Sequence, residues 1–233
     1  MKYAIISDIH SNLEALTKAI EIIDQRKVDE IVCLGDIVGY GANPNECTEI
    51  VTKRCSLVVM GNHDAAALDP SLATDFNLIA RKAIVWTAKT LEEKNRKYLS
   101  TLPLVHKRDS IQFVHSSPTS PEAWDYIIDN GDAAMALEHC KEKICFIGHT
   151  HVPGIFNVRG RAKAVTSDEQ FLVNVGSVGQ PRDSNPMLAF GIFDSASWEY
   201  ELIRSEYNIQ GAADKIFAAG LPEELGYRLM YGM

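Results

Sequence analysis

Short apolar segments that stop abruptly at glycine or polar residues recur along the first 64 positions of the chain. The segments "YAIIS", "EIVCLGD" and "SLVVMGNHD" each have the length and the β-branched content of a buried strand. Segments with helical spacing lie between them: "SNLEALTKAIEII" follows the first strand and "PNECTEIVTK" follows the second. Strands that alternate with helices in this way predict parallel pairing through crossover helices.

The rest of the chain adds antiparallel elements. "LVHKRDSIQFVHSS" predicts a hairpin, "DAAMALEHCKEK" a helix and "ICFIGHTH" a buried strand, whereas the short runs from 155 to 204 are typical of antiparallel sheet. The segments 72–101 and from about 207 onward have helical spacing. Ser11 with Glu14, and Thr90 with Glu93, predict capping boxes. We therefore expect an α/β protein with two packed mixed sheets flanked by helices, in a single domain over residues 1–233.

Charge and cysteine usage exclude several classes of function. The formal net charge of −8 argues against a broad nucleic-acid or anionic-membrane surface. The five cysteines contain no C-x-x-C pair, which favours a reduced, cytoplasmic protein. "MKYAIISDIHS" lacks the features of a signal peptide, and no run of eighteen apolar residues predicts a membrane span.

Side chains of metal-binding type follow the predicted strands, at the point where each strand ends. They are Asp8 and His10 in "SDIHS", Asp36 in "LGDIVG", Asn62, His63 and Asp64 in "MGNHD", His115 in "FVHSS", and His149 and His151 in "GHTH". Each motif alone is weak: Asp36 by itself is more typical of a turn or a cap, and His115 of an ordinary hydrogen-bonded histidine. Together they predict one shared crevice, because the carboxyl ends of parallel strands meet at one edge. Oxygen and nitrogen donors without thiolates suit Mn, Fe, Zn or Ni.

In this order the motifs resemble the signature of the calcineurin-like metallophosphoesterase superfamily: D-x-H, G-D, G-N-H-[DE], a separate histidine, and G-H-x-H. The match spans residues 8–151 and extends with "NVGSVGQPRD" to about 183. It is similar above all to the compact bacterial and archaeal phosphoesterases of this superfamily. The resemblance implies a four-layer α/β/β/α sandwich.

The resemblance also implies two divalent metal ions, manganese first and iron, zinc or nickel as alternatives. The first ion would be held by Asp8, His10 and His151. The second would be held by Asn62, His115 and His149, with Asp36 bridging the two ions. A hydroxide shared by the ions would attack phosphorus.

The same resemblance implies catalytic roles for His63 and Asp64, and a departure from its pattern suggests one for Arg182. His63 would be a general acid, with Asp64 orienting its ring. Relatives that act as protein phosphatases carry an arginine in G-D-x-V-D-R-G, but here the segment reads "GDIVGYG". Arg182 in "GQPRDS" offers a substitute phosphate ligand, although a surface ion pair with Asp183 explains it equally well.

The expected activity is hydrolysis of a small phosphodiester or nucleotide-type ester. The alternatives are a phosphomonoesterase or protein phosphatase, and a scaffold that has lost catalysis. Neither a membrane nor a nucleic-acid partner is expected, while a homo-oligomer stays open. The C-terminal "LPEELGYRLMYGM" would cover the cleft or dock on another subunit. Asn174 and Ser177 would border the cleft or, as the better explanation, shape a turn at Gly176. His106 and His139 are expected to lie outside the site.

Overall fold

The computed structural model describes residues 1–233. Its strands are β1 (Lys2–Ile6), β2 (Glu30–Cys33), β3 (Leu57–Val58), β4 (Val105–Arg108), β5 (Ile111–Val114), β6 (Ile144–Ile147), β7 (Gly154–Asn157), β8 (Gly160–Arg161), β9 (Phe171–Asn174), β10 (Leu188–Asp194) and β11 (Glu199–Ser205). Its α-helices are α1 (Leu13–Gln25), α2 (Pro44–Arg54), α3 (Asn62–Leu68), α4 (Leu78–Thr90), α5 (Glu93–Leu99), α6 (Asn130–His139), α7 (Ile209–Ala218) and α8 (Glu223–Tyr231). Two 3-10 helices cover Pro70–Ala73 and Pro121–Ala123.

The strands form two mixed sheets. The first has the order β11-β10-β1-β2-β3. In it β1, β2 and β3 are parallel, and β10 pairs antiparallel with both β1 and β11. The second has the order β4-β5-β6-β9-β7-β8, in which β5, β6 and β9 are parallel. Its other strands pair antiparallel, and β4 with β5 forms the predicted hairpin.

The two sheets pack face to face through an aromatic core. Tyr3 from the first sheet lies 6.1 Å from Phe113 of the second, and Phe146 lies 5.2 Å from Phe193, measured between ring centroids. Helices α1 and α2 cover the outer face of the first sheet, and α6 covers the second. The four-layer sandwich predicted from the sequence is therefore confirmed. Each buried aromatic ring stabilises it by roughly 1.5–3 kcal/mol.

Both predicted capping boxes are wrong. Ser11 has a left-handed backbone (φ +55°) and donates its N–H to Ile37 O, because it belongs to the loop that leaves β1. Helix α1 consequently begins one residue later, and the side chain of Asn12 accepts from Ala15 N at 3.1 Å. Thr90 is the last residue of α4 and bonds back to Trp86 O, whereas Glu92 is the N-cap of α5 without a side-chain bond.

Two segments differ from the expected pattern. The segment 72–101, for which helical spacing predicted helix, consists of the end of a 3-10 turn, α4 and α5 with short connections between them. Strand β9, expected to be antiparallel, is antiparallel to β7 but parallel to β6. This parallel pairing brings the carboxyl end of β9 to the edge where β1, β2, β5 and β6 also end. None of the helices combines the length and the apolar character needed to cross a membrane.

Candidate metal centre

The polar side chains that follow the parallel strands converge in one buried cluster. The ligand atoms of Asp8, His10, Asp36 and His151 all lie within 4.8 Å of one another. Those of Asp36, His115 and His149 form a second group with the same spread. Asp36 belongs to both groups, and Asn62 Oδ1 lies 3.2 Å from His115 Nε2.

The loops reach this cluster through an unusual backbone. Asp8, His10, Asp36, His149 and His151 all have positive φ, between +50° and +68°. Non-glycine residues adopt this region rarely, and such strain persists where the surrounding structure enforces it, commonly at functional sites.

Two glycines of the motifs make the close approach of these loops possible. A Cβ on Gly61 would lie 2.1 Å from Asp36 Oδ1, and one on Gly148 would lie 2.4 Å from Asp8 Oδ2. No side chain fits at either position. The glycines in "MGNHD" and "IGHTH" are therefore part of the site.

Hydrogen bonds to backbone carbonyls fix which nitrogen of each ring faces the first group. His10 Nδ1 lies 3.2 Å from Val38 O, and His151 Nδ1 lies 2.5 Å from Gln180 O. A carbonyl oxygen only accepts, so each Nδ1 carries the proton and each Nε2 presents a lone pair. The two Nε2 atoms are 3.1 Å apart. Two lone pairs at this separation repel unless a cation lies beside them.

In the second group, too, each histidine donates to a backbone carbonyl, but His149 does so through Nε2 and the other ring through Nδ1. His115 Nδ1 lies 2.8 Å from Leu34 O, and His149 Nε2 lies 2.9 Å from Trp124 O. The remaining nitrogens, His115 Nε2 and His149 Nδ1, are 3.2 Å apart, and His115 Nε2 also lies 3.2 Å from the amide oxygen of Asn62. Backbone partners of this kind orient metal-binding histidines and set their tautomers.

The carboxylates complete a donor set that fits divalent metal ions. Asp8 Oδ1 lies 3.2 Å from His151 Nε2, and Asp36 Oδ2 lies 3.5 Å from His10 Nε2 and 3.4 Å from His115 Nε2. Nitrogen and oxygen donors with no thiolate suit manganese, iron, zinc and nickel alike. The predicted ligands are thus brought together, and they fall into the two groups expected from the resemblance.

Burial and the charges within the cluster shift the pKa values of its aspartates and histidines. Burial opposes ionisation of Asp36, but the His115 and His63 charges outweigh it and hold the Asp36 pKa well below its usual value. Burial lowers the pKa of His149 to about 3. Burial opposes charge on His115 as well, yet Asp36 raises its pKa to about 9. A proton on His115 Nε2 is therefore what a bound metal ion would displace.

His63 lies beside the cluster but outside its ligand set. Its ring packs 4.8 Å from His10, 4.4 Å from Tyr40 and 4.7 Å from Phe76, between centroids. Its Nδ1 is buried and has no hydrogen-bond partner. Burial lowers the pKa of His63 to about 4, so the ring is neutral at pH 7 in the free protein.

Asp64 does not orient the His63 ring as expected from the sequence. Its Oδ1 accepts from Ile37 N at 2.9 Å and Val38 N at 3.1 Å, and its Oδ2 accepts from Gly61 N at 3.1 Å. Its position in the first turn of α3 points the carboxylate back toward the loop after β2. Asp64 therefore fixes the loop that carries Asp36.

Arg182 faces the cluster and not Asp183, which pairs with Arg204. Its guanidinium donates to Gln180 Oε1 at 3.0 Å and to the Tyr40 hydroxyl at 3.2 Å. The ion pair with Asp183 that would have explained Arg182 is absent.

Asn174 and Ser177 shape the surroundings of the cluster. Asn174 Nδ2 donates to Gly148 O at 2.7 Å, and Ser177 Oγ donates to Asp8 O at 2.8 Å. Gly176 between them has φ +77°, as the turn interpretation requires. His106 and His139 lie on β4 and α6 and take no part in either ligand group.

An aromatic wall contributed by the loop 117–129 was missed by sequence reasoning. Tyr126 stacks on His149 at 4.0 Å, and Trp124 approaches His115 edge-on at 6.0 Å, between centroids. Trp124 also supplies the carbonyl that fixes the His149 tautomer, from a left-handed backbone (φ +56°). No periodic pattern marks these residues, because they lie in an irregular loop.

Comparisons with known proteins agree with this geometry. A sequence profile of the calcineurin-like phosphoesterase superfamily domain matches residues 1–197. An uncharacterized protein of Methanocaldococcus jannaschii is 40% identical over 98% of this chain and 97% of its own. A metallophosphoesterase from Sphaerobacter thermophilus is 36% identical, with a TM-score of 0.90 over 100% of this chain and 99% of its own. A hypothetical protein from Pyrococcus horikoshii, 23% identical, shares the fold with a TM-score of 0.83 over 100% and 98% of the two chains. The chain belongs to the calcineurin-like phosphoesterase superfamily.

Proposed function

We propose that this protein is a binuclear metal-dependent phosphoesterase that hydrolyses phosphodiesters or nucleotide-type phosphate esters. The observation that carries the proposal is the pair of donor groups that share Asp36. In the first group, lone pairs on His10 Nε2 and His151 Nε2 point at one another beside a carboxylate. In the second group, His115 Nε2, protonated in the free protein, faces His149 Nδ1, and backbone carbonyls set the orientation of all four rings. Such an arrangement costs free energy unless cations are bound.

The residues divide between two ions as follows. One ion would be held by Asp8, His10 and His151 and the other by Asn62, His115 and His149, with Asp36 available to both. Manganese is the first candidate. Two bound divalent ions supply a nucleophile from water at neutral pH and neutralise charge on the phosphoryl oxygens.

His63 is positioned to give a proton to the leaving oxygen. Gly39 makes room for it: a Cβ there would lie 2.5 Å from His63 Nδ1. The ring is neutral in the free protein, and the negative charge of a bound phosphate ester raises a histidine pKa. His63 would thus take up its proton as substrate binds.

Aromatic surfaces on both sides of the cluster favour an ester with two organic groups. Trp124 and Tyr126 form one side, and Tyr40 and Phe76 form the other. Arg182, whose charge lies near His151 and His63, would bind the phosphoryl oxygens between them. Guanidinium groups are suited to phosphate through their fixed donors.

Hydrolysis of bis-p-nitrophenyl phosphate and p-nitrophenyl phosphate tests the proposal directly. The protein is chelated, refilled with Mn²⁺ and compared with Asp36→Asn. His139→Asn is the matched control, because it alters a histidine far from the cluster. We expect metal-dependent turnover that favours the diester, survives in the control and is lost in Asp36→Asn. A preference for the monoester would point to a phosphatase. No turnover with any metal would contradict the proposal that the protein is an enzyme.

A further inference from the structure

Arg228 on α8 is unusual because its charge has no partner. The other arginines pair with a carboxylate or donate to an oxygen; Arg26 with Glu201 and Arg54 with Asp24 are examples. Arg228 is half-buried, yet its guanidinium makes neither a hydrogen bond nor an ion pair. Its nitrogens are not buried, so they are free to bind an anion from solution.

Helix α8 packs directly against the loop that carries Arg182. Gly232 at its carboxyl end accepts from Ser184 N at 2.9 Å, two residues beyond Arg182. Leu225 and Leu229 of the same helix pack in one cluster with Tyr40, whose hydroxyl accepts from Arg182 at 3.2 Å. Arg228 lies one helical turn before Gly232 and therefore on the side of α8 that meets the Arg182 loop, although it lies beyond the residues 1–197 that match the family profile.

Arg182 is itself incompletely satisfied. One of its terminal nitrogens is occupied by Tyr40 and Gln180, but its Nε is buried without a partner. Its guanidinium lies 5.7 Å from the centre of the Tyr40 ring. Burial and the nearby charge of Arg182 both lower the pKa of Arg228, and the same Arg182 charge reaches His63 and His151. Arg182 and Arg228 are thus two neighbouring cations, and neither forms an ion pair with a carboxylate, in a chain whose formal net charge is −8.

We propose that Arg182 and Arg228 form a second anion site beside the metal cluster, which binds a phosphate group that flanks the scissile ester. The inference rests on the proposed function and narrows it: the preferred substrates carry two phosphates, as a phosphorylated nucleotide ester does. Arg182, being shared, contacts the scissile phosphate and its neighbour, while Arg228 serves only the neighbour. Arg228 is a specificity residue, not a catalytic one.

A matched pair of chromogenic substrates tests the site on the manganese-loaded full chain. Thymidine 5′-(p-nitrophenyl phosphate) is compared with the same ester carrying a 3′-phosphate. In the wild type we expect the 3′-phosphate to lower KM by about tenfold or more, as a charge-assisted contact should. Arg228→Met should remove most of this advantage without changing KM for the unphosphorylated ester, and Arg228→Lys should retain part of it.

Lys215→Met is the control, since it removes a cation of α7 that is already paired with Glu14. We expect Lys215→Met to keep the lower KM for the 3′-phosphorylated ester. The second anion site would be overturned if Arg228→Met left the ratio of the two KM values unchanged, or if the 3′-phosphate did not lower KM in the wild type. The proposed function would stand in either case. If the wild type hydrolyses neither ester, the proposed function fails separately.

A binding measurement decides the anion site independently of turnover. Titration calorimetry on Asp36→Asn compares thymidine 3′,5′-bisphosphate with thymidine 5′-monophosphate. We expect the bisphosphate to bind about tenfold more tightly or better, and the added Arg228→Met substitution to abolish the difference. Equal affinities before that substitution would overturn the inference.

Discussion

His63 differs from the other histidines of the cleft because no backbone carbonyl fixes its ring. Each of the four histidines in the two donor groups donates from one nitrogen to a backbone carbonyl and turns its other nitrogen toward the cluster. His63 is instead held by packing against Tyr40 and Phe76, with Nδ1 left free. A ring without a fixed tautomer suits proton transfer better than ligation.

Replacing His63 by alanine should therefore discriminate between leaving groups. With a phenyl or alkyl ester, whose leaving oxygen needs a proton, we expect kcat to fall by about 10²–10⁴-fold. With a p-nitrophenyl ester the loss should be far smaller, because p-nitrophenolate leaves unprotonated. Steady-state kinetics on the two ester types, beside His139→Ala, would show the difference, and equal losses on both would rule out the acid role.

The ligand residues were predictable from the sequence, whereas the partners that orient them were not. Asp8, Asp36 and His115 stand out because each directly follows a short apolar run, and the sheet brings such run ends together. The carbonyls of Val38 and Gln180 carry no side-chain signal. They depend on how loops from distant parts of the chain lie against one another, which only the folded structure shows.

Helix α3 is a whole element in which the functional motif was predictable from the sequence but the contacts that hold it were not. The "GNHD" motif predicted its chemistry, yet the helix is only seven residues long and cannot be stable by itself. It is fixed by Asp64, whose carboxylate binds three backbone N–H groups from two loops. The resemblance to the superfamily assigned this aspartate to the His63 ring, but adjacent helical residues point in different directions.

Asp64→Ala should consequently destabilise the protein without removing a metal ligand. It leaves three buried N–H groups unpaired, and we expect the free energy of unfolding to fall by about 3 kcal/mol or more. Asp69→Ala, at the other end of α3, removes one exposed bond to Ser71 N and should cost about 1 kcal/mol or less. Urea denaturation of the metal-free variants measures both, and equal losses would contradict the positioning role of Asp64.

The C-terminal helices show where prediction from the sequence stopped. Helical spacing from about 207 was sufficient to expect α7 and α8. Their place beside the cluster follows instead from Leu225 and Leu229 packing against Tyr40 and α4 residues, contacts that join distant parts of the chain. Arg228 therefore had no recognisable role until the structure placed α8 next to Arg182.

On the scale of the whole molecule, the metal cluster joins the two sheets. The candidate ligands Asp8, Asp36 and Asn62 follow strands of the first sheet, and His115, His149 and His151 follow strands of the second. Without cations, Asp8 and Asp36 are buried charges that repel each other, and imidazole lone pairs face one another. Bound metal ions would attract both the carboxylates and the lone pairs. We therefore expect metal binding to stabilise the fold in addition to its role in hydrolysis.

Addition of Mn²⁺ to the chelated protein should raise the melting temperature. At a free concentration about 100 times Kd, binding contributes about 2.7 kcal/mol. For a chain of this size each kcal/mol corresponds to roughly 2–4 °C, so we expect an increase of about 5–10 °C. Asp36→Asn should lose most of this increase, because the carboxylate contacts both donor groups, while His139→Asn should keep it. Calorimetric melting with and without EDTA measures the shift; a full increase in Asp36→Asn would mean that the ion is held elsewhere on the protein.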